Sequence, residues 1–326
     1  MGRIAAGTRR FQERQHNVLG NHMSPSSLGP INDADLVATL PGFTNAYAEV
    51  NGIRLHYVEG GTGAPLILLP SWPQTWWEFR RVLPPLAERY RVIAIDFRGM
   101  GGSDKPDDGY DKKTMASDIH ALVSQLDLGP VNIAGNDIGA MVAYSFAANH
   151  PEATRKLVMM DSPHPFAVFE QIPLLPAPGT YDLENPARAV HPWWFAFNQI
   201  PGLSERVFAG RYGIVQDWLF DYLAADKTAI TAHDRAVYAA AYDSADALRA
   251  ANSWFSSFAT DIADAGGYAP LTMPVLGLGG ISYDFLAAFL GTAVPDATVL
   301  KLPNTGHWIP DERPEETVRH LNEFFG

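Results

Sequence analysis

A single carboxylate stands between two glycines where an apolar strand-like run passes into an apolar helix-like run. The stretch is IAGNDIGAMVAY, residues 133–144, and Asp137 forms a G-x-D-x-G pattern with Gly135 and Gly139. A sharp strand-to-helix turn crowds the backbone and therefore requires glycines. Such a turn lifts its central side chain above the sheet, at a helix N-terminus that favours an anion. The pattern predicts that Asp137 is a nucleophile rather than a simple helix cap.

The choice of a carboxylate as nucleophile restricts the chemistry. Attack on a carbonyl would give an anhydride that readily reverts, whereas displacement at a saturated carbon gives an alkyl ester. An epoxide or a carbon–halogen bond is a suitable target. His307, in the loop NTGHWIPDERPEE, comes last in chain order, as the base does in hydrolases with this kind of turn. We expect it to activate the water that hydrolyses the ester.

The elements that must position these residues alternate along most of the chain. Two strand-like segments meet at Asn51-Gly52, a strong hairpin signal, and apolar strands then alternate with helices. This order predicts an α/β protein with a mostly parallel central sheet flanked by helices. The alternation stops in one long internal stretch, which predicts an inserted helical lid. The predicted parts are an N-terminal extension or leader (1–40), a core (41–165 and 266–326) and the lid (166–265).

Composition excludes several classes of function. The net charge of −12 argues against nucleic acid or an anionic membrane as a partner. The absence of cysteine rules out disulfides and thiolate zinc sites. No apolar run approaches the ~18 residues of a membrane span, and the N-terminal stretch lacks the apolar region of a signal peptide. We therefore expect a cytoplasmic monomer or homodimer that acts on a small molecule, with no cofactor and no metal.

From about residue 44 onward the chain resembles the α/β-hydrolase superfamily. It is most similar to the branch of epoxide hydrolases and haloacetate or haloalkane dehalogenases. Three segments carry the resemblance: DFRGMGGSDKP is similar to the branch's D-x-R-G-x-G-x-S-x-x-P loop, GNDIG to its G-H-D-x-G turn, and GHWIPDERPEE to its histidine loop. Asn136 stands where histidine is usual. The resemblance implies the α/β-hydrolase fold with a helical lid, and a triad of nucleophile, acid and histidine.

Two aspartates could be the acid of that triad, because both follow predicted strands. Asp161 closes the strand LVMMD, and Asp284 lies further beyond the next strand, in GGISYDF. Relatives use one position or the other, and the direct emergence of Asp161 from its strand favours it. The acid would set the tautomer of His307 and stabilise its cation.

The resemblance also implies an oxyanion site in LLPSWPQTWW, residues 68–77. The family usually has H-G-x-P here, whereas this chain has Pro70 and Ser71 before Trp72. The expected donors are the backbone N–H groups of Trp72 and Ile138. Because backbone donors survive side-chain changes, the site is expected to persist, although the loss of glycine at position 71 restricts the turn.

The lid departs from the family at the groups that usually assist the leaving atom. The branch commonly places His or Tyr in one lid segment and Tyr in another, whereas this chain has Trp193, Trp194 and Phe255 there. Phenylalanine cannot donate a proton, and indole is a weak acid. A tyrosine from elsewhere is the alternative donor, and the tryptophans are otherwise packing residues. The candidate tyrosines are Tyr212, Tyr238 and Tyr242.

The helix after Asp137 separates the substrate classes. Haloacetate dehalogenases carry arginines there, but this chain has Ile138, Ala140 and Met141; haloalkane dehalogenases usually have Trp where Ile138 stands. The sequence therefore favours an epoxide hydrolase, with a dehalogenase as the main alternative. A non-catalytic ligand-binding relative is the other, favoured by the altered oxyanion motif and Phe255. Aromatic residues predict a bulky aromatic substrate, such as a polycyclic natural product: Trp72, Trp76, Trp77, Trp193, Trp194, Trp254 and Phe255.

Overall fold

The computed structural model describes residues 29–185 and 188–326. The first part of the predicted extension or leader, residues 1–28, lies outside the described residues. The remainder of it packs on the body of the protein: the short helix Asp33–Val37 buries Leu36 completely, and Asp33 accepts a hydrogen bond of 2.7 Å from the indole of Trp76.

Within the described ranges, the strands form one eight-stranded sheet in the order β1-β2-β4-β3-β5-β6-β7-β8. The pairs β1–β2 and β2–β4 are antiparallel, and every other pair is parallel. This arrangement confirms the predicted α/β-hydrolase fold. The strands are β1 (Phe43–Val50), β2 (Ile53–Gly60), β3 (Ala64–Leu69), β4 (Tyr90–Asp96), β5 (Val131–Asn136), β6 (Thr154–Met160), β7 (Val275–Gly279) and β8 (Thr298–Lys301).

Helices cover the sheet and fill the long connection between β6 and β7. The central strands β3 to β6 are nearly all buried, as expected for strands covered on both faces. The α-helices of the described residues are α1 (Asp33–Val37), α2 (Leu83–Ala87), α3 (Lys112–Gln125), α4 (Ile138–Asn149), α5 (Trp193–Phe197), α6 (Leu203–Phe208), α7 (Gly213–Leu223), α8 (Ala232–Ala241), α9 (Ala245–Ser256), α10 (Phe258–Ala265), α11 (Tyr283–Ala293), α12 (Ile309–Glu312) and α13 (Pro314–Phe325). None of them is both long and apolar enough to cross a membrane.

The stretch 75–90 is helix-like in the sequence, with a regularity that Pro84 and Pro85 limit. It forms a 3₁₀ turn at Trp76–Phe79 followed by the five-residue α2. Pro84 and Pro85 lie in the first turn of α2, where the missing N–H groups cost nothing, and a proline cannot lie inside a longer helix without breaking it. The break allows the residues after β3 to turn beneath the site.

The helices between β6 and β7 are anchored to the core by a buried charge pair. The Lys112 ammonium, at the start of α3, lies 2.9 Å from an Asp261 carboxylate oxygen on α10 and donates to the carbonyl of Trp254 at 2.7 Å. Both charged side chains are fully buried, so breaking the pair would leave an uncompensated charge. This contact holds the helical segment 166–265 in place at the edge of the sheet where β5 and β6 end.

Candidate active site

Asp137 occupies the strained turn that its flanking glycines make possible. It joins β5 to α4 with φ 50° and ψ −121°, a backbone conformation that L-residues rarely adopt. A Cβ on Gly135 would lie 2.2 Å from the backbone of Gly139, and a Cβ on Gly139 would lie 2.1 Å from the carbonyl oxygen of Leu69. Only glycine fits at both positions, and the turn presents the Asp137 carboxylate to the cavity described below.

His307 lies between Asp137 and Asp161. Its Nδ1 is 2.8 Å from Oδ2 of Asp161, and its Nε2 is 3.6 Å from Oδ1 of Asp137. The other oxygen of Asp161 accepts hydrogen bonds from the backbone N–H groups of Gly280 (2.7 Å) and Ser282 (3.0 Å). Asp161 is thus held in one orientation, and it holds the imidazole ring with Nε2 towards Asp137.

The structure brings Asp161, and not Asp284, to His307. Asp161 has φ 48° directly after β6, a turn that points its buried carboxylate across the end of β7. Asp284 lies in the first turn of α11, where it is exposed and contributes to the cavity wall without a hydrogen bond to the histidine. This geometry supports the first of the two predicted acids.

The two aspartates should therefore respond differently to the same change. We expect Asp161→Asn to lower kcat by about 10²- to 10⁴-fold, because asparagine cannot stabilise the imidazolium or set its tautomer. Asp284→Asn should stay within a few-fold of the unaltered protein. Steady-state kinetics on both variants would measure this, and a larger loss for Asp284→Asn would reverse the assignment.

The charge state of His307 depends on its two carboxylates. Burial alone would lower its pKa, but Asp137 and Asp161 more than offset burial and raise the pKa to about 10. The ring is consequently a cation at neutral pH as long as Asp137 is charged. Neutralising Asp137 would remove one of the two partners that raise this pKa.

Backbone donors face the Asp137 carboxylate from the loop after β3. The N–H of Trp72 lies 3.3 Å from Oδ2 of Asp137, and the peptide bond between Trp72 and Pro73 is cis. Ile138 is the first residue of α4, so its N–H has no acceptor within the helix. Of the two predicted donors, Trp72 thus has its N–H beside the carboxylate, despite the loss of the family's His and Gly before it.

A cavity of about 610 Å³ separates this group from the helical segment 166–265. Asp137, Asp161 and His307 lie on its wall, and most of the remaining wall is apolar. Such a cavity is large enough for a molecule of drug-like size. Its aromatic lining consists of Trp72, Phe169, Trp194, Phe195, Phe285 and Trp308.

Several aromatic residues predicted to line this cavity do not do so. Trp76 is fully buried against Asp33, and the indole of Trp254, also fully buried, donates to the carbonyl of Arg98 at 3.0 Å. Each indole N–H is thus hydrogen-bonded to a neighbouring segment of the protein. The prediction that Trp76 and Trp254 face a substrate is therefore wrong. Trp77 is held in the same way, by Asp234.

The predicted lid positions divide in a similar way. Trp194 lines the cavity, whereas Trp193 lines a neighbouring pocket of about 420 Å³. Phe255 is 1% exposed and packs edge-to-face on Trp72, with the ring centres 4.9 Å apart. It therefore supports the loop after β3 through its contact with Trp72, and it does not line the cavity. Of these three predicted lid residues, only Trp194 lines the cavity beside Asp137.

The three tyrosines considered as proton donors also lie away from the cavity wall. The hydroxyl of Tyr242 donates to the carbonyl of Gln74 at 2.8 Å, and that of Tyr238 accepts a bond from Arg80. Burial raises the pKa of Tyr212, Tyr238 and Tyr242 above the usual range of tyrosine. This placement argues against the alternative that one of them takes the place of the missing lid tyrosine.

Other residues of the cavity wall were not predicted from the sequence. Trp308 follows His307 directly, and Phe195 follows Trp194, so their neighbours in sequence could have indicated them. Phe169 and Phe285 carried no such signal. The loops between β6 and α5 also contribute Thr180, Arg188 and His191.

Two groups of described side chains could bring three metal-ligating atoms together. One consists of Asp33, His56 and Asp96 and the other of His120, His150 and Glu152. Neither group lines the cavity.

Comparisons with known proteins agree with the fold. The family model described as alpha/beta hydrolase fold matches residues 64–265. A soluble epoxide hydrolase of Corynebacterium sp. (strain C12) is 30% identical over 297 residues, which cover 86% of this chain and 97% of that protein. A fluoroacetate dehalogenase of Burkholderia sp. is 26% identical over 87% of this chain and 94% of that protein. The crystal structure of Cfl2 from Burkholderia cenocepacia superposes with a TM-score of 0.80 at 30% identity, covering 90% of this chain and 98% of that chain.

Proposed function

This chain belongs to the α/β-hydrolase fold family and is a hydrolase, and on that premise we propose that it opens epoxides through a covalent ester on Asp137. The observation that carries the proposal is the aspartate at the nucleophile turn, with His307 and Asp161 aligned behind it. An aspartate at this point favours alkyl over acyl chemistry. The helical segment 166–265 would act as the lid that closes over the substrate.

In the first step, an Asp137 carboxylate oxygen attacks one epoxide carbon and breaks its bond to oxygen. An alkyl ester forms, and the ring oxygen leaves as an alkoxide that must acquire one proton. The resting enzyme contains a charged His307, because two carboxylates raise its pKa to about 10. Solvent would carry that proton to the alkoxide, and His307 would become neutral. Trp194 lines the cavity, and we propose that its indole N–H donates a hydrogen bond to the departing oxygen.

In the second step, the same histidine acts as a base. Once Asp137 is esterified its negative charge is gone, so one of the two groups that raised the His307 pKa is lost. A neutral imidazole can then take a proton from a water that attacks the carboxyl carbon of Asp137. The N–H groups of Trp72 and Ile138 would stabilise the oxyanion, and release of the diol would regenerate the ion pair.

An epoxide is favoured over a halide by the helix that follows the nucleophile. The first turn of α4 carries Ile138, Ala140 and Met141, so it offers no cation to hold a haloacid carboxylate. The similarity to a soluble epoxide hydrolase over most of both chains supports the same choice. A dehalogenase is the alternative, supported by the similarity to a fluoroacetate dehalogenase. A non-catalytic binding protein is less favoured, because His307 lies 2.8 Å from Asp161 and 3.6 Å from Asp137, as the proposed triad requires.

The cavity wall indicates the substrate shape. Six aromatic side chains line it, and offset or edge-to-face contacts with aromatic rings stabilise flat ligands. We therefore propose a bulky aryl epoxide, of the kind formed on polycyclic natural products, as the substrate class.

A panel of substrates tests this proposal. We expect kcat/KM for aryl epoxides to exceed that for small aliphatic epoxides by about 10- to 200-fold, the discrimination that apolar pockets achieve. Fluoroacetate and chloroalkanes should give no halide. Chromatography of the diols and halide titration would measure the products. Faster turnover of small aliphatic epoxides would refute the substrate class, and halide release would favour the dehalogenase.

A further inference from the structure

Glu78 lies buried beneath the site and contacts two of the residues at which the chain departs from its family, Ser71 and Asn136. One carboxyl oxygen, Oε2, lies 2.6 Å from the backbone nitrogen of Ser71 and 2.9 Å from its Oγ. The other oxygen accepts a hydrogen bond of 2.9 Å from the amide of Asn136. Ser71 belongs to the oxyanion loop and Asn136 precedes the nucleophile, so one side chain joins both.

The hydrogen bonds of Gln74, the other side chain that contacts Ser71, show which of its atoms faces the serine. Arg80 donates to Asp311 at 2.6 Å, and the amide nitrogen of Gln74 donates to the second oxygen of Asp311 at 2.7 Å. Burial raises the pKa of Asp311, but the ion pair with Arg80 opposes that rise and favours the carboxylate. The remaining oxygen of Gln74 must accept, and it lies 2.6 Å from Oγ of Ser71.

The serine hydroxyl has one proton, and it donates this proton in its hydrogen bond to Gln74. The contact of 2.9 Å between Oγ of Ser71 and Oε2 of Glu78 is therefore a hydrogen bond only if Glu78 supplies the proton. A protonated oxygen can accept from the Ser71 N–H and donate to the Ser71 hydroxyl at the same time. Neither a carboxylate nor an amide does both.

We propose that Glu78 is a positioning residue that is protonated in the working enzyme and that holds the oxyanion loop, through Ser71, against the nucleophile turn, through Asn136. The same Asn136 amide also lies 3.3 Å from the carbonyl of His307, so the connection reaches the histidine loop. This role rests on the proposed function, because it concerns the stabilisation of the ester intermediate's oxyanion.

The surroundings of Glu78 support the protonated state. It is completely buried, and burial raises its pKa to about 8, against the hydrogen bonds from Ser71 and Asn136. Asp311 and the hydroxyl groups of Tyr238 and Tyr242 interact electrostatically with Glu78, and none of these three groups is a cation. Arg80 is the nearby cation, and it is already paired with Asp311 and Asp234.

The protonation state matters for the reaction. If Glu78 were a buried carboxylate, its charge beside Asn136 would oppose the negative charge that develops at Asp137 during ester hydrolysis. A neutral acid keeps the Trp72 and Ile138 donors in place without that repulsion. Ionisation of Glu78 should therefore slow the hydrolytic step, and the loss should appear as the pH rises through about 8.

The first test needs no substrate. The infrared spectrum of the full chain at pH 7 should contain the carbonyl stretch of a buried carboxylic acid that Glu78→Gln removes, and in the unaltered protein this band should disappear with a midpoint near pH 8. Glu315→Gln, at an exposed position on α13, is the matched control and should leave the band unchanged. A difference spectrum that shows a lost carboxylate band instead would overturn the proposal.

The second test separates positioning from simple packing. For an accepted substrate, hydrolysis of the intermediate should slow above pH 8 in the unaltered enzyme, whereas Glu78→Gln should lose this alkaline decline. At pH 7, Glu78→Gln should be within about tenfold of the unaltered enzyme and Glu78→Leu about 100-fold slower, because leucine leaves the Ser71 and Asn136 donors unpaired. An unchanged alkaline decline in Glu78→Gln would refute the role. If no epoxide is turned over, the proposed function fails while the infrared result still decides the protonation of Glu78.

Discussion

Replacing Asp137 with asparagine should abolish activity, with kcat lower by about 10⁴- to 10⁶-fold, as for the loss of other covalent nucleophiles. A neutral amide is a poor nucleophile at a saturated carbon, so no ester forms. The fold should survive, because asparagine has nearly the same shape as aspartate and both are enriched at positive φ angles. Asp137 already has φ 50° and ψ −121°, so the substitution asks for no new backbone conformation.

Asp127 offers a matched control for this change. It also has φ 50°, but it is exposed in the loop after α3 and does not line the cavity. Asp127→Asn should retain full activity, and both variants should unfold within a few degrees of the unaltered protein. Kinetics with the best epoxide and thermal melts would measure this. Activity of Asp137→Asn within tenfold of the unaltered enzyme would contradict the covalent mechanism.

Replacing His307 with glutamine should trap the intermediate. Asp137 can still attack the epoxide, but the water loses its general base, which is worth about 10²- to 10⁴-fold in rate. The 3.6 Å separation of Nε2 from Asp137 places the ring beside the ester that would form. The ester should therefore form within one turnover and then persist, so the intact mass of the protein should increase after brief exposure to substrate.

The size of that increase identifies the reaction. An epoxide adds its whole mass, because opening the ring expels no atoms, whereas a haloalkane adds its mass less that of the hydrogen halide. Peptide mapping should place the adduct on the segment that contains Asp137. The double variant with Asp137→Asn is the control and should gain no mass. A tight complex with no covalent adduct from any substrate would favour a binding protein.

The proposed nucleophile and base could be identified from sequence because the information is local. The glycines around Asp137 are required by a turn only a few residues long, and His307 is recognisable from its place after the last strand and from its motif. The alternation of strands and helices likewise predicted the sheet. Even the broken helix after β3 has a local cause, in Pro84 and Pro85.

The choice between Asp161 and Asp284 could not be made in this way. Both follow strands, and no spacing along the chain says which carboxylate reaches His307. The decision comes from the neighbouring ends of β6 and β7: Asp161 turns at φ 48° and receives the N–H groups of Gly280 and Ser282.

The direction of the aromatic side chains likewise depended on contacts between distant segments. In the sequence, Trp76, Trp254 and Phe255 resemble pocket residues as closely as Trp194 does, yet only Trp194 lines the cavity. Glu78 lies among aromatic residues and shows no sign in the sequence that it is completely buried or that it joins two loops. The sequence by itself determined the fold and the turn and loop that carry the proposed nucleophile and base, since short-range backbone geometry encodes them. The tertiary structure alone decided the acid, the cavity wall and the support beneath it, because side-chain direction and burial arise from packing between residues far apart in the chain.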